Sequence, residues 1–204
     1  DDGAAPAEVQ LREHRARLHR LRPGLLLHYD DARSRCDLTA QATIAASLCL
    51  VVVLEGKVDV SYGLLRVALS HTGTGASAAL VTVAQAESFT RRVRRGVYSR
   101  YVCLVLEPEW LAQAGGNGTP PGLEQFLRQH LAIQRWQLSP RVAAIAEQIV
   151  RPPALAPMLQ HIYLESRALE LAGEALGTLC QAAPAASAQA LLPREHQRLR
   201  ELHA

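Results

Sequence analysis

Lysine is almost missing from this chain: Lys57 is the single lysine among 22 basic residues in a sequence of 204. Alongside heavy use of alanine and leucine, that skew reads as codon bias rather than chemistry. Charge of one sign is also scarce. The 22 basic and 19 acidic side chains leave a formal +3, too mild over this length for a nucleic-acid polymer to be the main partner. Long apolar runs are lacking, since the longest, Leu48 to Leu54, falls far short of the roughly 20 residues that cross a bilayer as a helix. No basic segment followed by an apolar one opens the chain, which starts at Asp1. The reading is a cytoplasmic protein with no membrane partner, its ends trimmed from something longer. Cysteines are few and form no C-x-x-C pair: Cys36, Cys49, Cys103 and Cys180 read as small apolar residues of a reducing compartment. A Cys49 to Cys103 disulfide is geometrically conceivable.

What is present is 49% hydrophobic and 20% charged residues, the composition of a globular domain with its own core. The order of elements carries the fold. Residues 8–22 hold Leu11, Leu18 and Leu21 at near-helical spacing and end at Pro23-Gly24, which predicts a helix or arm over residues 1–24. Residues 25–107 then break into short β-rich runs, 25–29, 42–56, 57–63, 64–70, 78–84, 88–93 and 97–106, divided by glycines. Many short strands at close spacing mean a small antiparallel barrel or sandwich. Over 108–181 the period lengthens: short helices at Pro108 to Gln113 and Leu123 to Leu131, one from the Ser139-Pro140 cap to Val150, and a long one from Leu155 to Cys180. Residues 182–204 read as an Ala/Pro/Ser linker, Ala182 to Ala190, and a last charged helix, Pro193 to His203. The fold class is therefore α+β, a β-barrel followed by a helical layer.

Enzyme chemistry finds little support. A metal-binding barrel needs His-x-His and a nearby Glu on one strand and another His on a later one, yet the β-region holds only His28 and His71, each readable as a surface or satisfied-core histidine. Neither G-x-S-x-G nor a glycine-rich phosphate loop occurs, and Gly73-Thr-Gly75 is a turn. The sharpest charge feature is Arg91, Arg92, Arg94, Arg95 and Arg100. Strand parity makes Arg91 share a face with Phe89 and Val93, so if those apolar side chains point inward, Arg91 does too. A buried guanidinium needs an acceptor: a bound anionic or carbonyl-bearing ligand, a backbone carbonyl, or a distant Glu. By the same parity Val58, Val60 and Tyr62 face inward while Lys57, Asp59 and Ser61 face solvent, and Tyr101 goes with Cys103 and Val105. Tyr62, Phe89, Arg91 and Tyr101 are thus the candidate ligand-binding residues, an aromatic, hydrogen-bonding lining for one planar ligand. No catalytic or metal-ligating residue is assigned.

The long helix carries two stripes. Leu155, Leu159, Ile162, Leu169, Leu176 and Leu179 form one; Leu164, Ala168, Leu171 and Ala175 form the other. Either this is the central helix of a packed layer, or the first stripe covers the barrel and the second, with its small alanines, is a homodimer interface.

Four segments carry a family resemblance: Val53 to Gly63, Leu106 to Leu111, Trp136 to Pro140 and Ile162 to Leu171. Together they resemble the N-terminal sensing part of AraC/XylS-type transcriptional regulators, and the last is most similar to the subgroup that senses ferric siderophores such as pyochelin. The resemblance implies a cytoplasmic, cupin-like domain that binds a small-molecule effector and alters a dimer's affinity for DNA. It implies no cofactor beyond a ferric siderophore as effector. It also implies that DNA is contacted only through helix-turn-helix motifs that follow; here Leu192 to Leu202 matches only their beginning, so this chain is not expected to bind an operator. Val83 to Phe89 aligns where many relatives have Pro-x-x-x-His, and Ser88 and Phe89 there suit a larger, more apolar effector than a sugar. The competing readings are a metal-dependent cupin enzyme and a dimerisation module with a filled barrel.

Overall fold

Alternation along the longest apolar stretch organises the molecule. The computed structural model describes residues 17–72, 75–116 and 118–201, with side chains from Leu18 to Cys180. Strand β4, Ser47–Tyr62, is 16 residues long and buried at every position from Ser47 to Leu54. Leu48, Leu50, Val52 and Leu54 join one core, whereas Cys49, Val51 and Val53 join a second. Such a continuous apolar run marks a strand covered on both faces.

The remaining strands are β1 (Arg17–Arg22), β2 (Leu25–Arg33), β3 (Leu38–Ile44), β5 (Leu65–Ser70), β6 (Ala78–Val83), β7 (Glu87–Val93), β8 (Tyr98–Leu106) and β9 (Ile133–Trp136). Antiparallel pairing runs β1-β2-β8-β4-β6-β9 in one sheet, while the second half of β4 pairs with β5 and β7, and β7 with β3. Hence β4 belongs to both layers. It changes layer near Gly56, where φ is +73° and a Cβ would fall 1.9 Å from the Tyr98 carbonyl oxygen; only glycine takes that position without rebuilding the pair. Between the layers lies the second core, with Val60, Tyr62, Val67, Leu69, Val81 and Tyr101.

Helices α1 (Pro108–Ala114), α2 (Pro121–Leu127), α3 (Pro140–Val150) and α4 (Pro157–Glu201) cover the outer face of the first sheet. The expected cap of α3 is present: Ser139 Oγ accepts from the Val142 N–H at 3.2 Å, with Pro140 in the first turn. The fold is α+β, an antiparallel double-layered barrel followed by helices. Among the described residues no helix is long and apolar enough to cross a membrane.

Several expectations are corrected. Residues 17–22 of the predicted arm form a strand, β1, paired with β2 from Arg17↔Tyr29 onward; Leu21 is buried and Leu18 is 72% exposed, a period of two that the leucine spacing disguised as a helix. Residues 8–16 lie outside the described residues, as do Gly73 and Thr74 of the predicted turn and residues 202 and 203 of the last helix. The helix expected to reach Leu131 stops at Leu127, because Leu131 turns with φ +57° and donates its N–H to Thr82 O at 2.8 Å, starting the chain along β6 as β9. The backbone of α4 runs through the predicted linker, Ala182 to Ala190, without a break.

The second stripe of α4 is wholly inward and the first is split, with Leu179 buried and Leu169 and Leu176 packed against the same core while Leu159 and Ile162 stay outside. Leu164, Ala168, Leu171 and Ala175 are each at most 2% exposed, within the core shared with the sheet and α3. Their alanines let α4 approach its own chain, not a second subunit. The apolar side chains left outside are Met158 at 71%, Ile162 at 55% and Leu159 at 48% exposure.

Candidate functional site

Register decides which side chains meet between the layers. Arg91 lies opposite Val60, and Phe89 opposite Tyr62, in the β4–β7 pair; since Val60 and Tyr62 are buried in the inner core, Phe89 and Arg91 point inward as strand parity requires. The rings of Tyr62 and Phe89 are 5.3 Å apart. The Arg91 guanidinium sits 4.9 Å from the centroid of the Tyr101 ring, a cation–π distance. Arg91, Tyr101, Tyr62 and Phe89 therefore form two adjoining pairs along one interior surface.

Sequence reasoning missed the acceptor. Arg91 Nη2 lies 3.5 Å from Asp30 Oδ2, and the Asp30 side chain is 5% exposed against 23% for Arg91. Asp30 stands on β2 opposite Tyr101 of β8, and His28 stands opposite Cys103, so both share the inward face that Leu25, Leu27 and Tyr29 avoid. None of the weighed acceptors was this aspartate, because it lies 61 positions before Arg91. The available signal was parity in β2: a charged residue two positions after His28, on the face opposite Leu25, Leu27 and Tyr29.

Around this ion pair the titratable groups are neutral. His28 Nδ1 is 3.4 Å from the Tyr101 hydroxyl, with the two rings edge to face at 5.5 Å. Burial, reinforced by the positive Arg91, pushes the His28 pKa down to about 4. Burial also pushes the Tyr101 hydroxyl and the Cys103 thiol up, and Cys49 likewise. The interior thus offers a neutral imidazole, a phenol O–H and a partly exposed guanidinium, with no activated thiolate nucleophile among these groups. Among the described residues no cluster of three or more His, Cys, Asp or Glu side chains is placed to hold a metal ion. On the opposite face of β7, Arg92 donates to Ser61 Oγ at 2.7 Å, which buries the serine expected to face solvent.

The family model described as the regulatory protein PchR N-terminal domain matches residues 13–191. The chain belongs to this family. The match makes it a regulatory N-terminal domain of the PchR kind. Among solved structures, the chain is similar to apo ToxT from Vibrio cholerae, at 10% identity and a TM-score of 0.41, covering 71% of this chain and 52% of that one. It is similar also to the AraC-like transcriptional activator CuxR, at 10% identity and a TM-score of 0.35, covering 76% and 53%. For the Cnp3 cupin domain of Schizosaccharomyces pombe the values are 11% and 0.33, covering 58% and 78%. This chain spans about half the length of ToxT and of CuxR. The comparison with curated proteins gave no match. In this PchR N-terminal domain, the Arg91–Asp30 pair and its aromatic neighbours lie between the sheets, and Arg91 is the more exposed member of the pair.

Proposed function

We propose that this domain senses a small-molecule effector between its two sheets and has no enzymatic activity of its own. The observation that carries the reading is Arg91: a guanidinium stacked on Tyr101, flanked by the Tyr62–Phe89 pair, and still 23% exposed. A planar ligand with a carboxylate or phenolate fits these groups, because the guanidinium supplies charge and the rings supply flat apolar area. The acid must then share Arg91 with Asp30, which favours a ligand whose charge is partly delocalised. A ferric siderophore of the pyochelin type has that chemistry. It would be bound as an intact chelate, its iron held by the siderophore's own donors.

The regulator acts in the cytoplasm as a homodimer and contacts DNA only through a further domain. The patch Met158, Leu159 and Ile162, with Leu155 beside it, is where a second copy would pack. Effector occupancy reaches that patch through β1, whose Arg22 pairs with Glu165 of α4 and whose Leu21 carbonyl lies 3.2 Å from His161 Nε2. A ligand shifts the regulator only by its differential affinity for two arrangements of these elements.

The test is titration of iron-loaded and iron-free siderophores against the fluorescence of Trp110 and Trp136, with wild type and Arg91→Ala. Saturable binding of a ferric chelate, weakened at least tenfold in the variant, supports the reading. Equal affinity in both proteins removes Arg91 from the site, and no binding across the panel removes the siderophore.

A further inference from the structure

A cavity of about 500 Å³ opens on the other side of the first sheet, away from Arg91. Its walls are the ends of β4 and β6 at Ser47 and Thr82, helix α1 at Trp110, and α4 at Leu176 and Gly177. Its size lies within the usual ligand range of about 300–1,000 Å³. Small residues leave part of its wall open: Ala46, Ala84, Ala112 and Ala114 line it together with Gly115 and Gly177.

We infer that this cavity is a second binding site, one that takes a neutral, largely hydrocarbon small molecule. None of its described lining residues carries a charge, so an ionised group placed there would lose its hydration without gaining a partner. The two hydroxyls on the sheet wall are engaged within the protein: Ser47 Oγ donates to Ala45 O at 3.1 Å, and Thr82 Oγ1 donates to Phe126 O at 3.3 Å. What remains for a ligand is apolar contact, the indole of Trp110, the Thr119 hydroxyl and the Cys180 thiol. Burial of apolar surface therefore supplies the affinity, at about 25 cal/mol per Å². The occupant touches the sheet ends, α1 and α4 together. The cavity and the Arg91 cluster lie on opposite faces of the first sheet.

The experiment uses N-phenyl-1-naphthylamine, an uncharged apolar fluorophore that accepts tryptophan emission. Wild-type protein is expected to bind it saturably, with quenching of tryptophan fluorescence. Gly177→Leu should fill the cavity, and a Cβ at that position meets nothing within 4 Å, so the helix tolerates the change. Affinity is expected to fall at least tenfold. Gly173→Leu, one turn earlier on α4, equally uncrowded and outside the lining, should stay within twofold of wild type, as should Arg91→Ala. Ala84→Phe, which occludes from the sheet wall, serves as the second blocking variant, with melting temperature confirming that each protein is folded. Absence of saturable binding in the wild type overturns the inference. So does binding that neither blocking variant weakens, or that is lost only in Arg91→Ala, since the probe would then sit between the sheets.

Discussion

His28 and Tyr101 face each other across β2 and β8 with 3.4 Å between Nδ1 and the hydroxyl, inside a core that excludes a charged imidazole. The His28 pKa is about 4 in the folded protein against 6.5 for the free side chain. Unfolded chains therefore bind the proton more readily between these values, and stability falls as pH drops from about 6.5 to about 4. Above that window the contribution is fully present. A shift of this size corresponds to roughly 3 kcal/mol. Denaturant unfolding at pH 7 and pH 4.5 should show the loss in wild type and a smaller loss in His28→Gln; identical pH slopes would place the titration elsewhere.

The Arg91–Asp30 pair predicts non-additive mutations. Arg91→Ala takes a guanidinium from beside a carboxylate that is 5% exposed, and should cost about 1–3 kcal/mol, more than the exposed Arg94→Ala. Adding Asp30→Asn should restore part of the loss. A double variant as unstable as the sum of the singles would show that the two charges do not act on each other.

Along α4, depth separates stability from association. Leu171 is fully buried, so Leu171→Ala should cost about 2–5 kcal/mol by leaving a cavity. Ile162→Glu, at a position 55% exposed, should leave the melting temperature within a few degrees. If the outer patch joins two subunits, sedimentation of that variant shifts to monomer; an unchanged sedimentation coefficient with a dimeric wild type would move the interface off this helix.

Gly56 is the most sterically committed backbone position. A Cβ there falls 1.9 Å from the Tyr98 carbonyl oxygen at φ +73°, so Gly56→Ala must part β4 from β8. The expected cost is about 3 kcal/mol or more, readable as a lower unfolding midpoint, whereas Gly96→Ala, where a Cβ meets nothing within 4 Å, should cost less.

The cysteines should sort by access. Cys180 is exposed and Cys36 half-buried, while Cys49 and Cys103 lie between the sheets with thiols pushed up by burial. An aromatic disulfide reagent at pH 8 should label Cys180 and then Cys36, and reach the inner two only on the unfolding timescale. Rapid reaction of four thiols in the native protein would contradict their placement.

Where one physical rule acted alone, the sequence was legible. Period-two alternation put Tyr62, Phe89, Arg91 and Tyr101 on one interior surface, and the Ser139-Pro140 signal located α3. Legibility failed where long-range pairing overrode local pattern. Leu18 and Leu21 satisfy a helix and a strand equally, and only β2 alongside decides for the strand. Both stripes of α4 are apolar, so periodicity identifies two faces without saying which one meets the sheet. Asp30 was hidden for a related reason: an ion pair between strands distant in sequence leaves no local spacing to read.

Because β4 is hydrogen-bonded into both layers, neither layer can fray by itself. Opening the β7 side strips partners from the same chain that anchors β8 and β6, so the sheets should behave as one cooperative foldon. In native-state hydrogen exchange, the amides of β4, β6 and β8 would then share a single opening free energy equal to global unfolding, and calorimetry would register one transition for barrel and helices together.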